Sequence, residues 1–253
     1  MKKLLSTIAL GSVLASGVNA DFLRVEAGGG IWSQTPKGYA TRTDGDGVLK
    51  LDGTYTSDEK STNDNYVWLL LKHPLPIIPN LRLEYATITD KGKTSGKIAS
   101  LPTILATAET TMDITEYDVI PYYNLLDNTF WTTIDLGIDI KIIQSDVNVE
   151  NIEMFPGYTS TDTTPIPLLY LRGRVQIPTT GIGLEADGKA ITDGTNTFYD
   201  ARAKIDYTFD FVPVVQPGIE VGYRIQKLRV DDGTKSQIDL EYSGVYGGIM
   251  LRF

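Results

Sequence analysis

The chain has 253 residues, no cysteine, and 32 acidic against 23 basic side chains, a formal charge of −9. Without cysteine, thiolate metal clusters, thiol nucleophiles and redox pairs are excluded, and disulfides cannot hold the fold together. An acidic chain is also a poor nucleic-acid partner, because that role needs a basic footprint.

At the N-terminus, Lys2 and Lys3 precede an apolar stretch from Leu4 to Leu14, and Val18-Asn19-Ala20 offers small residues for cleavage before Asp21. This is the three-part layout of a secretory signal, and the apolar stretch falls short of the roughly 20 residues a spanning helix needs. Residues 1–20 are therefore expected to be a signal peptide, and 21–253 the mature domain. Losing Lys2 and Lys3 and no acid takes the charge from −9 to −11. Beyond Asp21 no apolar stretch reaches helical spanning length, and mean hydropathy is close to zero. A membrane β-barrel passes unseen in such a scan, because only alternate residues face lipid.

Period-2 alternation dominates the mature chain. Leu23, Val25 and Ile31 oppose Arg24 and Glu26 in the first segment, and weaker alternation runs over 66–73, 81–89 and 112–123. Ile134, Leu136, Ile138, Ile140 and Ile142 then oppose Asp135, Asp139 and Lys141. Leu169, Leu171, Val175 and Ile177 oppose Arg172, Arg174 and Gln176, and 182–191 comes next. The cleanest case is Tyr199 to Phe211, where Ala201, Ala203, Ile205, Tyr207 and Phe209 alternate with Asp200, Arg202, Lys204, Asp206 and Asp210. Ile219, Val221, Tyr223 and Ile225 oppose Glu220, Arg224 and Gln226, and 238–253 is the last segment. Strict alternation puts one set on each face of a strand. Ten such segments predict an all-β fold, an antiparallel transmembrane barrel of about ten strands. Most approach the roughly ten residues that cross a ~25 Å apolar band at a tilt.

The connections support this. From a periplasmic N-terminus, 34–65, 90–111, 145–164, 192–196 and 231–237 are expected outside the cell, mostly long and polar. The turns 74–80, 124–129, 178–181 and 212–217 are expected inside, shorter and rich in Pro, Gly, Asn or Asp. Long outer loops and short inner turns are the outer-membrane pattern. In the first outer loop, Asp44-Gly45-Asp46-Gly47 does not complete a twelve-position calcium site and reads as solvated turns, as does Asp231-Asp232-Gly233.

The chain closes on Tyr246, Gly248, Leu251 and Phe253, with Ile249, Leu251 and Phe253 on one face. This spacing resembles the β-signal of outer-membrane proteins, and the resemblance implies recognition by the barrel-assembly machinery. The mature chain also looks like a little-characterised family of outer-membrane β-barrel proteins with a C-terminal Gly-Gly pair, here Gly247-Gly248. Gly28-Gly29-Gly30 is a matching patch in the first strand. The resemblance implies fold and outer-membrane location in a Gram-negative envelope, and no activity.

Three sets of residues are candidates for chemistry. Outer-membrane barrel enzymes commonly use a histidine, and the one here, His73, sits before Pro74-Leu75-Pro76 at the periplasmic rim, away from the extracellular mouth. It reads as a turn residue. Parity assigns to the lumen Arg24, Glu26, Glu116, Asp118, Asp135, Asp139, Arg172, Arg174, Arg202, Lys204, Asp206, Glu220 and Arg224. The same parity adds Lys72, Arg82, Glu84, Lys141, Glu185, Asp187, Lys189, Asp200, Asp210 and Arg252. A selective pore carries rings of one sign; mixed signs in a narrow barrel are expected to pair into a network. The outer loops are the third set, because loops on rigid scaffolds carry function. The expectation is a non-enzymatic, porin-like barrel of the cell outer membrane with a charge-filled lumen, in a structural or interaction role. The alternative is a narrow channel for ions or small solutes. No cofactor or metal is expected. Membrane lipid and the assembly machinery are the expected partners, and any extracellular partner is left open.

Overall fold

A computed structural model describes residues 23–42, 51–75, 77–98, 101–150, 158–209, 215–231, 233 and 236–253. The expected signal peptide, the Asp44–Gly47 motif, Asp210, Phe211 and Asp232 lie outside the described residues. The strand segments are β1 (Arg24–Arg42), β2 (Leu51–Ser57), β3 (Thr62–Lys72), β4 (Asn80–Ile98), β5 (Leu101–Thr129) and β6 (Thr132–Val149). They continue as β7 (Tyr158–Gln176), β8 (Ile182–Thr192), β9 (Thr197–Thr208), β10 (Gln216–Asp231) and β11 (Ser236–Arg252).

Every pairing is antiparallel, and β1 returns to β11 from Glu26↔Arg252 to Arg42↔Ser236, which closes the sheet on itself. β2 and β3 both lie between β1 and β4, with Tyr39↔Thr56 and Thr56↔Lys93 above and Ile31↔Asn65 and Val67↔Tyr85 below. They form one stave, interrupted near Glu59, whose φ of 57° breaks the ladder. The described residues therefore make a closed antiparallel barrel of ten staves.

Side-chain direction follows the alternation. Ile138, Ile205 and Val221 point outward and remain 57%, 54% and 54% exposed, so they are not sealed between packed sheets. Leu169 and Leu184, the neighbours of Ile138 and Ile205 across the ladder, are exposed as well, Val221 pairs with Ile205 itself, and the exposed Ile219–Ile249 pair continues the apolar belt of the outer face. On β5 the belt runs through Tyr117, Val119, Tyr123 and Leu125, then gives way upward to Thr115, Asp113 and Thr111. The Tyr85–Tyr117 ring pair, 5.4 Å apart, marks that edge. Aromatic side chains at the border of an apolar band suit a membrane–water interface.

The segments expected as long outer connections differ. β1 continues to Arg42, β4 and β5 pair up to Ile98↔Leu101, and β6 and β7 pair up to Val149↔Tyr158, so much of 34–65, 90–111 and 145–164 is strand. Polarity suggests loop, but these stretches are rich in threonine, whose β-branched side chain suits a pleated strand. Hydroxyl pairs bridge the rungs: Thr41–Thr54 at 3.1 Å, Ser95–Thr107 at 3.1 Å, and Thr110 to Thr94 at 2.8 Å. The barrel wall thus rises above its apolar belt.

Candidate functional site

Two storeys of side chains fill the interior. The upper one is apolar: Tyr55, Ile88, Met112, Ile114, Leu240 and Tyr242 pack together, with Ala40, Ile143, Val147 and Ile238 against them. Asp64 and Asp90 are buried at this level. Asp64 accepts from Gln34 (3.1 Å), Thr62 (3.0 Å) and the Thr89 backbone N–H (3.1 Å), and Asp90 from Ser57 (2.8 Å). Burial raises both carboxyls above the ordinary aspartate range, because desolvation penalises the charged form.

Below lies the charged storey. Lys141 reaches Glu116 (3.1 Å), Asp118 (2.9 Å) and Asp200 (3.6 Å). Lys189 crosses from β8 to Glu84 (2.6 Å) on β4 and Asp118 (2.9 Å) on β5. Arg172 bridges Asp135 and Glu185, both at 2.6 Å. Arg174 grips Asp206 through two nitrogens at 2.5 and 2.9 Å and also meets Glu185 at 3.1 Å. Arg202 joins Asp187 (2.6 Å) to Glu84 (2.5 Å). Arg224 holds Asp200 (2.9 and 2.7 Å) and Glu116 (2.9 Å), and Lys204 holds Glu220 (2.7 Å). At the lower rim Arg24, one-third exposed, pairs with Glu26, which Arg252 also meets at 3.1 Å. Charges taken out of water in this way need full pairing and hydrogen bonding. Asp139 stands apart: it is fully buried, neither carboxyl oxygen has a hydrogen-bond partner, and its nearest cation, Lys189, is 3.8 Å away.

Aromatic side chains complete the filling, and alternation in the sequence does not reveal them. Trp68 lies 4.6 Å under the Lys204 ammonium and 5.5 Å from the Arg82 guanidinium. Its indole N–H donates to Glu220 at 2.9 Å, and Tyr66 donates to the same oxygen at 2.8 Å. Trp32 sits 4.5 Å from the Arg224 guanidinium. Tyr66 and Trp68 alternate with Val67 and Leu69, so both faces of β3 are apolar in sequence and periodicity is silent about which turns inward. Glycines seat these rings. A Cβ on Gly28 would lie 2.7 Å from the Trp68 indole, one on Gly248 would lie 2.6 Å from the Tyr66 hydroxyl, and one on Gly222 would lie 2.7 Å from the Tyr246 ring. Tyr66 and Tyr246 meet edge to face at 5.3 Å. The glycine patches near the seam are therefore sockets for lumenal aromatics.

A small cavity lies within the charged storey. The cavity bounded by Tyr66, Trp68, Arg82, Asp187, Arg202, Lys204, Glu220 and Tyr246 measures ≈ 10 Å³, room for about one water molecule. A larger depression of ≈ 640 Å³ involves Gly173, Ala186 and Ala203 between Val175, Leu184, Ile205 and Val221. Its lining is mostly apolar and lies on the outward faces of β7 to β10, with Glu185 and Lys204 of the charged network also on its border.

His73 lies at the lower rim. Its Nδ1 accepts the Leu75 backbone N–H at 3.1 Å, and its Nε2 is 3.1 Å from the Pro79 carbonyl. Its own backbone N–H donates to Asn80 (3.0 Å), which donates to Asn124 (2.8 Å), which donates to Asp135 (2.5 Å). The turn is thereby tied to the network. At the other terminus, Tyr246 and Gly248 face inward and Leu251 and Phe253 outward, with Phe253 exchanging backbone bonds with Val25.

These features define a class: a closed ten-stave barrel, apolar outside and charged within. No protein-family model matches the chain, and no curated protein sequence does. Among solved structures, the outer membrane protease OmpT from Escherichia coli aligns over 95% of this chain and 99% of its own, at 12% identity and a TM-score of 0.49. The translocator domain of the autotransporter NalP from Neisseria meningitidis covers 100% and 95%, at 13% identity and a TM-score of 0.40. A Pseudomonas aeruginosa FadL homologue covers 92% and 90%, at 10% identity and a TM-score of 0.36. At these scores the likeness carries no argument, and the architecture rests on the strand pairing itself.

Proposed function

We propose that this chain is a non-enzymatic barrel of the cell outer membrane whose lumen is plugged by its own side chains. In this reading its protruding outer hairpins serve a structural or interaction role. The observation that carries the reading is the crossing of the lumen by bonded charges, with Lys189 of β8 joined to Glu84 of β4 and Asp118 of β5. In this reading the crossbeam interrupts any water file through the lumen, and the apolar storey above it adds a second seal. The engaged ring nitrogens of His73 argue against general acid–base work. The end carrying both termini faces the periplasm in this proposal, and Tyr246, Gly248, Leu251 and Phe253 serve as the signal for the barrel-assembly machinery. Membership of the family with the C-terminal Gly-Gly pair belongs to the same proposal and adds no activity.

Purified protein in planar lipid bilayers tests the plug. The expected record is silent at moderate voltage. Reproducible single-channel steps that track the protein through repurification would establish the narrow channel instead.

A further inference from the structure

The connection between β5 and β6 carries a conformation its residues do not favour. Thr129 pairs with Thr132, which leaves Phe130 and Trp131 as a two-residue tip, with φ of 50° and 63°. Positive φ at both central positions is the signature of the tight hairpin turn that strongly prefers Asn-Gly. A bulky aromatic residue at positive φ is an outlier, and such strain persists where surrounding structure or function requires it. Here the surrounding protein does not hold the rings, for Phe130 is 86% and Trp131 55% exposed.

Two further observations place the tip. It is continuous with the outward belt, coming after Tyr123 and Leu125 at the lower end of β5. It also stands beside the β3–β4 turn, where Ile77 and Ile78 are exposed; the Tyr123 hydroxyl donates to the Ile77 carbonyl at 3.0 Å, and Lys72 meets Asp127 at 2.6 Å. The two turns thus present one braced apolar edge. From the Tyr117 level, about ten residues of tilted strand cross an apolar band of ~25 Å, which brings the lower boundary to this edge.

We propose that the Phe130-Trp131 tip is a lipid anchor, seated in the headgroup layer at the end of the barrel that carries the termini. Its occupant is a phospholipid interface, which accepts an aromatic ring on its apolar body and an indole N–H at its wet border. Turn strain is tolerated because Asn-Gly, the relaxed alternative, would have nothing to insert. The inference rests on the membrane reading above.

The test uses Trp131 itself, because Trp32 and Trp68 are buried in the lumen. The full-length mature protein is refolded into phosphatidylcholine vesicles carrying bromine at shallow or deep acyl positions, and flotation of the vesicles is recorded first. The expected result is bromine quenching of a component that W131F removes, strongest for shallow bromine, with little quenching by aqueous acrylamide. The double variant F130N/W131G should then unfold from vesicles at lower urea concentration than the parent, although its turn is relaxed. If the protein floats and Trp131 answers to acrylamide but not to bromine, the anchor is overturned while the membrane reading stands. A rise in the urea midpoint of the double variant also overturns it. If the protein does not float, both readings fall.

Discussion

At the scale of single residues, the lumenal carboxyls differ in how firmly they are held. Arg172 joins Asp135 to Glu185, and deleting it leaves Asp135, a buried carboxylate, with Asn124 as its remaining partner, while Glu185 keeps Arg174. Removing one partner of a buried pair typically costs about 3–5 kcal/mol, since the remaining charge is left uncompensated. Arg172→Met should therefore lower the urea midpoint of the refolded barrel steeply. Asp139 offers the opposite case, because no donor bonds its carboxyl. Asp139→Asn replaces the buried carboxyl without breaking a hydrogen bond, and its midpoint should equal or exceed that of the parent. Parallel losses for the two variants would mean that Asp139 is held by contacts as strong as those on Arg172. Strand parity assigns every lumenal acid the same standing; only the three-dimensional partners distinguish Asp139 from Asp135. Trp68 is illegible for a different reason, since an apolar residue on a strand with two apolar faces carries no directional signal.

At the scale of elements, alternation locates strands well where one face is charged and the other apolar, as in β6, β9 and β10. It fails where the outward face is threonine and the inward face mixes aliphatic with polar residues, so the threonine-rich extensions of β4 to β7 read as loops. The seam is the element whose requirements are sharpest. β1 and β11 pair over seventeen positions, from Glu26↔Arg252 to Arg42↔Ser236. A Cβ on Gly30 would lie 2.6 Å from the Gly248 Cα, and the obstacle is backbone, which cannot rotate away. Gly30→Val should therefore part the seam, since only glycine permits such close approach of two strands. The measurement is the fraction of protein that migrates as a compact band on an unheated denaturing gel. Gly173→Ala, with nothing within 4 Å of the added carbon, is the control expected to keep that band. Equal compact fractions in both variants would show that the seam tolerates side chains.

At the scale of the molecule, the barrel combines two solutions to filling a tube. Its lower storey is a network of paired charges inside an apolar belt, and its upper storey is an apolar core inside a polar wall. On the proposed membrane reading the inversion follows from the surroundings: where lipid would wet the outside, the greasy residues face out, and where water would, they face in. The lower storey is plain in the sequence, because charge and grease alternate there. The upper one is hidden, since threonine outside and aliphatics inside blur the contrast. The C-terminal signature spans both levels of meaning, for Phe253 is part of the closed sheet and also the residue expected to be read during assembly. The two roles separate experimentally. Phe253 joins the sheet through backbone bonds with Val25, the donor nitrogen of Phe253 lying 2.9 Å from the Val25 carbonyl, and its ring is 42% exposed. Phe253→Ala keeps those bonds and removes only an outward ring. Refolding into detergent should then proceed to the parental yield, whereas the amount reaching the outer membrane of living cells should fall several-fold. If both yields fall together, the ring acts by stabilising the barrel; if neither falls, the assembly machinery does not read this position.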